Sequence, residues 1–280
     1  MIVVTDSVAG LPEELIEQYK VKVMPSILTI NGTQYRDNVD ITPDKYWELF
    51  PSIKTFTTAA PSPGDFMDFF RAAGEVSPDI LYIAPSRHLS GIHEVAVNAM
   101  KLLETEEPGL TINVVDSTFA VGAMALIVIE AVRAAHAGQS MEEVLQLVEE
   151  LKKKVRTVSM LDTLKYLVCS GRAPRKALIG EWLGIKALVG MVDGNGQAES
   201  LGTVKGREQG FKRLVEMVPD YADVSKPLHV IIQYTNNRQA GEHLADLVKS
   251  KYDIAELHFA HYPPTVCGHA GPLNSLSFYS

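Results

Sequence analysis

Short apolar runs and helical repeats of apolar residues alternate along the first half of the chain. This alternation is typical of a parallel sheet whose strands are joined by helices. The runs predict strands at Ile2–Thr5, Lys22–Ile30, Thr33–Tyr35, Ile80–Ala84 and Thr111–Val115. The helical spacing predicts helices at Pro12–Tyr19, Thr42–Phe50, Pro63–Ala73, Ile92–Thr105 and Thr118–Ala137, and a further helix, capped by Ser140, that ends at Lys154.

The second half has a different order of elements, in which a hairpin is the clearest signal. Asp193-Gly194-Asn195-Gly196 separates two apolar segments, as in antiparallel strands joined by a tight turn. The pattern predicts strands at Thr157–Met160, Lys186–Val192, Gln197–Val204, Leu228–Gln233 and Ala255–His261. It predicts helices at Asp162–Cys169, Arg175–Trp182, Arg207–Val218 and Arg238–Tyr252. We therefore expect an α/β protein with a mostly parallel α/β/α domain at 1–155 and a mixed or antiparallel α+β domain at 156–280.

Composition narrows the class of protein. The chain has 280 residues, which suits two domains of roughly 100–200 residues each. Its net charge of −8 provides no basic surface for nucleic acid. Cys169 and Cys267 are too few for a disulfide framework and predict reduced thiols in the cytoplasm. Met1–Asp6 lacks the signals of a leader peptide, and the longest apolar stretch, Phe119–Val132, contains Glu130 and is too short to span a bilayer.

Small hydroxyl and acidic residues follow three of the predicted strands, at Thr5-Asp6-Ser7, Ser86–Gly91 and Asp116-Ser117-Thr118. Ligands of open parallel sheets bind at the carboxyl ends of the strands, so these loops predict a site. The alternative is that the same residues only cap the helices that follow. Three such loops in register favour the site, with Thr5, Asp6, Ser7, Asp116 and Ser117 as candidate residues.

Two further segments offer groups that could hold an anion. Ser90 and Gly91 begin a predicted helix, where a hydroxyl and free backbone N–H groups suit a carboxylate or a phosphate. Their loop matches neither the P-loop nor the dinucleotide fingerprint, which argues against ATP or NAD. His269 lies in Gly268–Pro272, which we predict to be a loop in which the imidazole can turn inward; a surface histidine is the alternative.

The sequence lacks the usual patterns of metal and hydrolase sites. His258 and His261 are three residues apart on a predicted strand and would lie on opposite faces. His229 and His243 have no carboxylate or thiol at ligand spacing. The strained Gly-x-Ser-x-Gly turn of serine hydrolases is absent. We therefore expect no catalytic residue, no metal and no cofactor.

Loop motifs in a fixed order along the chain resemble those of the DegV family. Thr5–Pro12 is similar to the opening Thr-Asp-Ser-x-x-x-Leu-Pro, and Thr57–Pro63 is similar to Thr-Ser-Gln-Pro-Ser-Pro. Further segments resemble the remaining motifs of the family, at Ser86–Gly91, Val115–Ser117, Leu161–Arg172 and Gly268–Pro272. Each motif alone is weak, but six in order over nearly the whole length are specific.

This resemblance implies that one long-chain fatty acid lies in a buried tunnel between the two domains. It implies that Thr58, Ser90 and His269 bind the carboxylate, and that Arg172 contacts a partner, the catalytic subunit of a fatty acid kinase. The partner would phosphorylate the presented carboxylate with its own ATP, so this chain would be a lipid-binding protein and not an enzyme. Transient contact with a membrane surface is a further expectation. We expect Ile27, Phe119, Met124 and Leu188 to line the tunnel. The alternative is that these residues belong to the ordinary core.

The chain departs from the family pattern beside the expected carboxylate site. Ala59-Ala60 replaces Ser-Gln, and Leu273-Asn274 replaces Gly-Ala, so the polar groups around the ligand differ. Two other functions remain open. One is a hydrolase or acyl transferase that uses Ser90 or Ser117 with His269. The other is a binder of a phosphorylated small molecule at the start of the Ser90 helix.

Overall fold

The computed structural model describes residues 1–169 and 184–280 of the chain. In chain order the strands are β1 (Ile2–Asp6), β2 (Lys22–Met24), β3 (Ile27–Ile30), β4 (Thr33–Arg36), β5 (Phe56–Ala59), β6 (Asp79–Ala84), β7 (Thr111–Asp116), β8 (Arg156–Leu161), β9 (Ile185–Met191), β10 (Glu199–Lys205), β11 (Leu228–Tyr234), β12 (Ile254–His261) and β13 (Leu273–Tyr279). The helices are α1 (Glu13–Tyr19), α2 (Pro43–Leu49), α3 (Pro63–Gly74), α4 (Ile92–Glu106), α5 (Val121–His136), α6 (Met141–Lys154), α7 (Lys165–Cys169), α8 (Arg207–Glu216), α9 (Val218–Tyr221), α10 (Arg238–Lys249) and α11 (Pro264–Ala270). The predicted helix Arg175–Trp182 lies outside the described residues.

A parallel sheet with the strand order β2-β1-β6-β7 forms the centre of the N-terminal half. Ile80–Ala84 of β6 is buried along its whole length, as expected for a central strand of a parallel sheet covered on both faces. Helix α5 is apolar and buried nearly all round. It packs against β1 of this sheet and against β11 and β13 of the C-terminal half.

A small antiparallel sheet with the order β4-β3-β5 stands beside the parallel one and corrects two predictions. The predicted strand Lys22–Ile30 is divided into β2 and β3, because Pro25 lies between them and has no N–H group for a ladder. Thr57–Pro63 is one of the predicted loop motifs, but Phe56–Ala59 is a strand that pairs with β3. The pairing partner is distant in sequence, so no local pattern indicates it.

A six-stranded mixed sheet, in the order β10-β9-β8-β13-β11-β12, forms the C-terminal half. Strands β11 and β12 are parallel, and the other neighbours are antiparallel. β13 is not among the predicted strands, since its asparagine and two serines interrupt the apolar pattern, yet all its residues are buried. The two sheets confirm the predicted fold class, a parallel N-terminal part and a mixed C-terminal part.

The two halves share one apolar core. That core includes Leu161, Ile231 and Leu273 together with the residues of the parallel sheet. The division at residue 155 falls between α6 and β8; it stays a prediction. Cys169 is exposed and Cys267 is buried, and both are free thiols. Among the described helices, none is long and apolar enough to cross a membrane.

Candidate functional site

A cavity of about 1210 Å³ lies between the carboxyl edge of the parallel sheet and the C-terminal sheet. Apolar side chains from both halves form much of its wall, including Val8, Val121, Leu161, Val189 and Val266. Polar side chains lie on β5, α11 and the loop before α4, and others, such as Thr157 on β8 and Glu199 on β10, line the wall formed by the C-terminal sheet. A cavity with apolar walls and a few convergent polar groups is the usual form of a small-molecule site.

Thr58 and His269 meet in the wall of this cavity. The Oγ1 atom of Thr58 on β5 lies 2.9 Å from Nε2 of His269 on α11. The predicted loop around His269 is a helix in the structure, and the histidine lies in its last turn. The ring of Phe56 stands edge-on to the imidazole at 5.2 Å between centroids. Gly268 permits this approach, since a Cβ atom there would lie 2.0 Å from Phe56.

Ser90 and Gly91 line the same cavity just before α4 begins. The Ser90 Oγ atom accepts a hydrogen bond from the backbone N–H of Ile92 at 3.3 Å, which leaves its own proton available. The preceding loop is fixed to the other half of the protein, because the Ser86 hydroxyl donates to the Gly196 carbonyl at 2.6 Å. The structure therefore brings Thr58, Ser90, Gly91 and His269 to one cavity.

Thr5, Asp6 and Ser7, at the end of β1 and directly after it, bond to other protein groups and are not among the residues that line the cavity. The Thr5 hydroxyl donates to the Ile83 carbonyl at 2.9 Å. Asp6 accepts from Val8 N at 2.9 Å and from the Tyr82 hydroxyl at 2.6 Å. Their neighbour Ser7 donates to Asp37 at 3.2 Å.

Asp116, the last residue of β7, and Ser117, which follows it, also bond within the protein. Asp116 accepts from Arg87 Nε at 3.0 Å and from Thr118 N at 2.7 Å. The Ser117 hydroxyl donates to the Phe119 carbonyl at 3.1 Å. Neither Asp116 nor Ser117 lines the cavity. As ligand contacts, these two and Thr5, Asp6 and Ser7 stay predictions, whereas their present bonds are those of loop and helix-end residues.

The other residues predicted for the ligand or partner sites do not line the cavity or lie outside the described residues. Arg172, the expected partner contact, lies outside the described residues. Phe119, Met124 and Leu188 are buried in the core, and neither they nor Ile27 line the cavity. Apolar residues of a core and of a cavity wall have the same sequence pattern, so periodicity alone does not separate them.

A buried carboxylate that is not among the predicted site residues holds α11 in place. Asp37, in the loop after β4, accepts hydrogen bonds from the hydroxyl and the N–H of Thr265, at the start of α11. Burial raises the pKa of Asp37 to about 6, although hydrogen bonds from Thr265 and Ser7 act to lower it. Burial also raises the pKa of Asp6 to about 7, against hydrogen bonds from Tyr82 and Val8. No local motif marks Asp37, because its partners are distant in sequence.

Among the described residues, one group of side chains has the composition of a cation site. Ligand atoms of Glu130, His229 and Glu256 lie within 4.8 Å of one another. The sequence did not show this carboxylate neighbour of His229, which lies on the adjacent strand β12. The Arg133 guanidinium already pairs with Glu130 at 2.7 Å and with Glu256 at 2.6 Å. This arginine offsets one of the two carboxylate charges, and its hydrogen bond lowers the pKa of the Glu256 carboxyl.

Comparisons with known proteins converge on one family. The chain matches the family model described as an uncharacterised protein of the DegV family over residues 1–280. It is 26% identical to a DegV domain-containing protein of Caldanaerobacter subterraneus over 271 residues, which is 96% of this chain and 95% of the relative.

Two solved structures are similar over essentially the whole length. One is a fatty-acid-binding DegV family protein from Thermus thermophilus, with a TM-score of 0.88, 27% identity and coverage of 100% of this chain and 99% of that chain. The other is a stearic acid-binding protein from Eubacterium ventriosum, with a TM-score of 0.89, 25% identity and coverage of 100% and 98%.

Proposed function

We propose that this chain, which belongs to the DegV family, binds one long-chain fatty acid in the cavity between its two halves. The observation that carries the proposal is the Thr58–His269 pair in the wall of a largely apolar cavity, with Ser90 in the same lining. The similar proteins from Thermus thermophilus and Eubacterium ventriosum, described as fatty-acid- and stearic-acid-binding, support the same ligand class.

The polar cluster suits a carboxylate that leaves water. A buried carboxylate needs hydrogen-bond donors, because its desolvation is otherwise costly. When His269 Nε2–H donates to Thr58 Oγ1, the threonine proton is free to reach the ligand. The Ser90 hydroxyl supplies a second donor, and the start of α4 adds backbone N–H groups.

The acyl chain would provide most of the affinity. Each methylene that moves from water to the apolar wall contributes roughly 0.8 kcal/mol. Residues of both halves form that wall, so a bound chain would also hold the halves together. We expect ligand binding to stabilise the folded protein in proportion to the logarithm of ligand concentration.

The experiment is to identify the ligand and then to rebind it. Native mass spectrometry of the purified protein should show one fatty acid per chain, and the delipidated protein should bind stearate with a rise in Tm. Inorganic phosphate at millimolar concentration should not compete. A delipidated protein that binds no fatty acid, or a site from which phosphate displaces the probe, would contradict the proposal.

We further propose that the bound carboxylate is presented to a separate kinase, which forms an acyl phosphate with its own ATP. The absence of nucleotide motifs in this sequence supports a division of labour between two chains. Arg172 is the proposed contact with that kinase, and the cytoplasm is the proposed compartment, since ATP is supplied there. ATP consumption by the kinase should require this chain loaded with fatty acid, and Arg172→Ala should reduce it without changing fatty acid affinity.

The hydrolase alternative gains no support from the site. The Ser117 hydroxyl is bonded to the Phe119 backbone and does not line the cavity. His269 Nε2 lies 2.9 Å from Thr58 Oγ1, so this ring nitrogen is engaged by a threonine of β5. Turnover of a long-chain ester that disappears in Ser90→Ala would revive this alternative.

A further inference from the structure

We infer that the Ser26 hydroxyl donates a hydrogen bond to the ligand carboxylate, as a contact additional to Thr58, Ser90 and His269. The inference rests on the proposed function and adds a specificity-determining residue to the same site. Ser26 is 1% exposed and lines the cavity. Its Oγ atom has no hydrogen-bond partner among the residues that the structure describes.

Two hydrogen bonds fix the backbone of Ser26 in the wall of the cavity. Ser26 N donates to the Ser7 hydroxyl at 3.0 Å, and the Ser26 carbonyl accepts from Asp37 N at 2.8 Å. These two bonds satisfy the peptide groups and leave only the side-chain hydroxyl without a partner. A buried hydroxyl without a partner costs free energy in the unliganded protein.

Strand register places this hydroxyl close to Thr58. Leu28 pairs with Thr58 and Ile27 with Ala59 in the antiparallel β3–β5 ladder, so Ser26 is level with Ala60. Ser26 and Leu28 are both buried and alternate with less buried neighbours, so they share the inner face of the sheet. Thr58 lies on that face too, and such diagonal neighbours are about 7–8 Å apart. A carboxylate can span two hydroxyls at this separation, because each hydrogen bond takes up about 2.5–2.7 Å.

The sequence around Thr58 makes a further donor useful. Ala59 and Ala60 bring no polar side chain to this part of the cavity. Thr58 and His269 also share one hydrogen bond between them, which reduces the donors left for the ligand. Ser26 offers a hydroxyl opposite Ala60, the residue after β5, whose side chain is only a methyl group.

A structural role for the hydroxyl makes a different prediction. The Asp37 Oδ1 atom is also buried without a partner, and a Ser26 hydroxyl turned towards it would stabilise the unliganded protein. In that case Ser26→Ala would lower the free energy of unfolding without ligand. If instead the hydroxyl forms a hydrogen bond only with the bound ligand, Ser26→Ala should leave the unliganded protein equally or more stable.

The test combines ligand affinity with the stability of the delipidated protein. Ser26→Ala should weaken palmitate binding about tenfold or more, and weaken hexadecanol binding less, because bonds to a charged acceptor are stronger. The Tm of the unliganded variant should not fall. The control is Ser277→Ala, which removes a buried hydroxyl that donates to Thr157 at 2.8 Å and should lower that Tm.

The remaining outcomes reject the Ser26 contact, and they distinguish its failure from the failure of the proposed function. Unchanged palmitate affinity, an equal loss for acid and alcohol, or a lower Tm of unliganded Ser26→Ala would overturn the Ser26 contact alone. A variant that loses affinity only for 3-hydroxypalmitate would place the hydroxyl against the chain, and would also overturn it. Wild-type protein that binds no fatty acid would overturn the proposed function, and the Ser26 contact with it.

Discussion

At the scale of single residues, the hydrogen bond between Thr58 and His269 joins positions that are 211 residues apart. Motif resemblance indicated both residues, but no local pattern shows that they touch. The same limit applies to Asp37 and Ser26, whose roles depend on partners from other elements. Sequence therefore identifies residue types suited to an anion, whereas the burial and the partners of each come only with the fold.

Thr58 allows a matched comparison on one strand. Thr58→Val should weaken fatty acid binding about tenfold or more, because a hydrogen bond to a charged group contributes roughly 1.5–3 kcal/mol. Thr57→Val is the control, since Thr57 is exposed on the opposite face of β5. Isothermal titration of delipidated proteins with palmitate measures both. Equal affinities of the two variants would remove Thr58 from the site.

The buried carboxyl of Asp6 should make stability depend on pH. Its folded pKa of about 7 lies above the usual value of 3.8, so the folded state retains a proton that the unfolded state loses. Stability from this group is complete below the unfolded pKa and is lost as pH rises through the folded pKa. Wild-type stability should therefore decline between about pH 4 and pH 7, and Asp37 should contribute to the same decline.

Asp6→Asn tests this source of pH dependence. Urea unfolding across pH 4 to 8 should show a shallower decline in the variant, because the amide stays neutral in both states. Asp44→Asn removes an exposed carboxylate and is the control for net charge. A variant with the wild-type pH profile would show that Asp6 is ionised in the folded protein.

At the scale of elements, prediction succeeded where local pattern decides the structure. The parallel strands, the α6 capping box at Ser140 and the β9–β10 hairpin were all foreseen. It failed at β5, α11 and β13, which have short or polar sequences and take their structure from neighbours. These three elements supply Thr58, His269 and the middle of the C-terminal sheet, so the site was harder to predict than its scaffold.

The end of α1 offers a prediction about helix termination. Lys20 adopts a left-handed conformation, with φ of 50° and ψ of 44°, and its N–H bonds to the Ile16 carbonyl. Glycine has no steric penalty in this conformation, so Lys20→Gly should raise the free energy of unfolding by about 0.5–1 kcal/mol. The control, Lys22→Gly in β2, should lower it. Urea denaturation of both variants provides the measurement, and a destabilised Lys20→Gly would contradict it.

At the scale of the whole molecule, the Gln233 side chain fastens the two halves to each other. Its amide N–H donates to the Gly10 carbonyl at 2.9 Å, and its Oε1 accepts from Gly122 N at 2.7 Å. Gln233 lies on β11 and is fully buried, while both partners belong to the N-terminal half. One side chain thus provides hydrogen-bond partners both for a backbone carbonyl in the loop after β1 and for a backbone N–H in the first turn of α5.

Gln233→Leu should lower the free energy of unfolding by about 2–4 kcal/mol, because it leaves buried backbone groups without partners. Gln18→Leu, on the exposed face of α1, is the control and should change it little. Fatty acid affinity should fall as well, since both halves form the cavity wall. A Gln233→Leu protein with wild-type stability would show that the halves do not depend on this contact.

The position of β13 has a consequence for biosynthesis. β13 lies between β8 and β11, yet it leaves the ribosome after both. Until then, β8 and β11 each present an unpaired edge, and such edges attract other strands. The C-terminal sheet can therefore be completed only after Leu273–Tyr279 has been translated. Nascent chains arrested before β13 should accordingly be the species that most need chaperones.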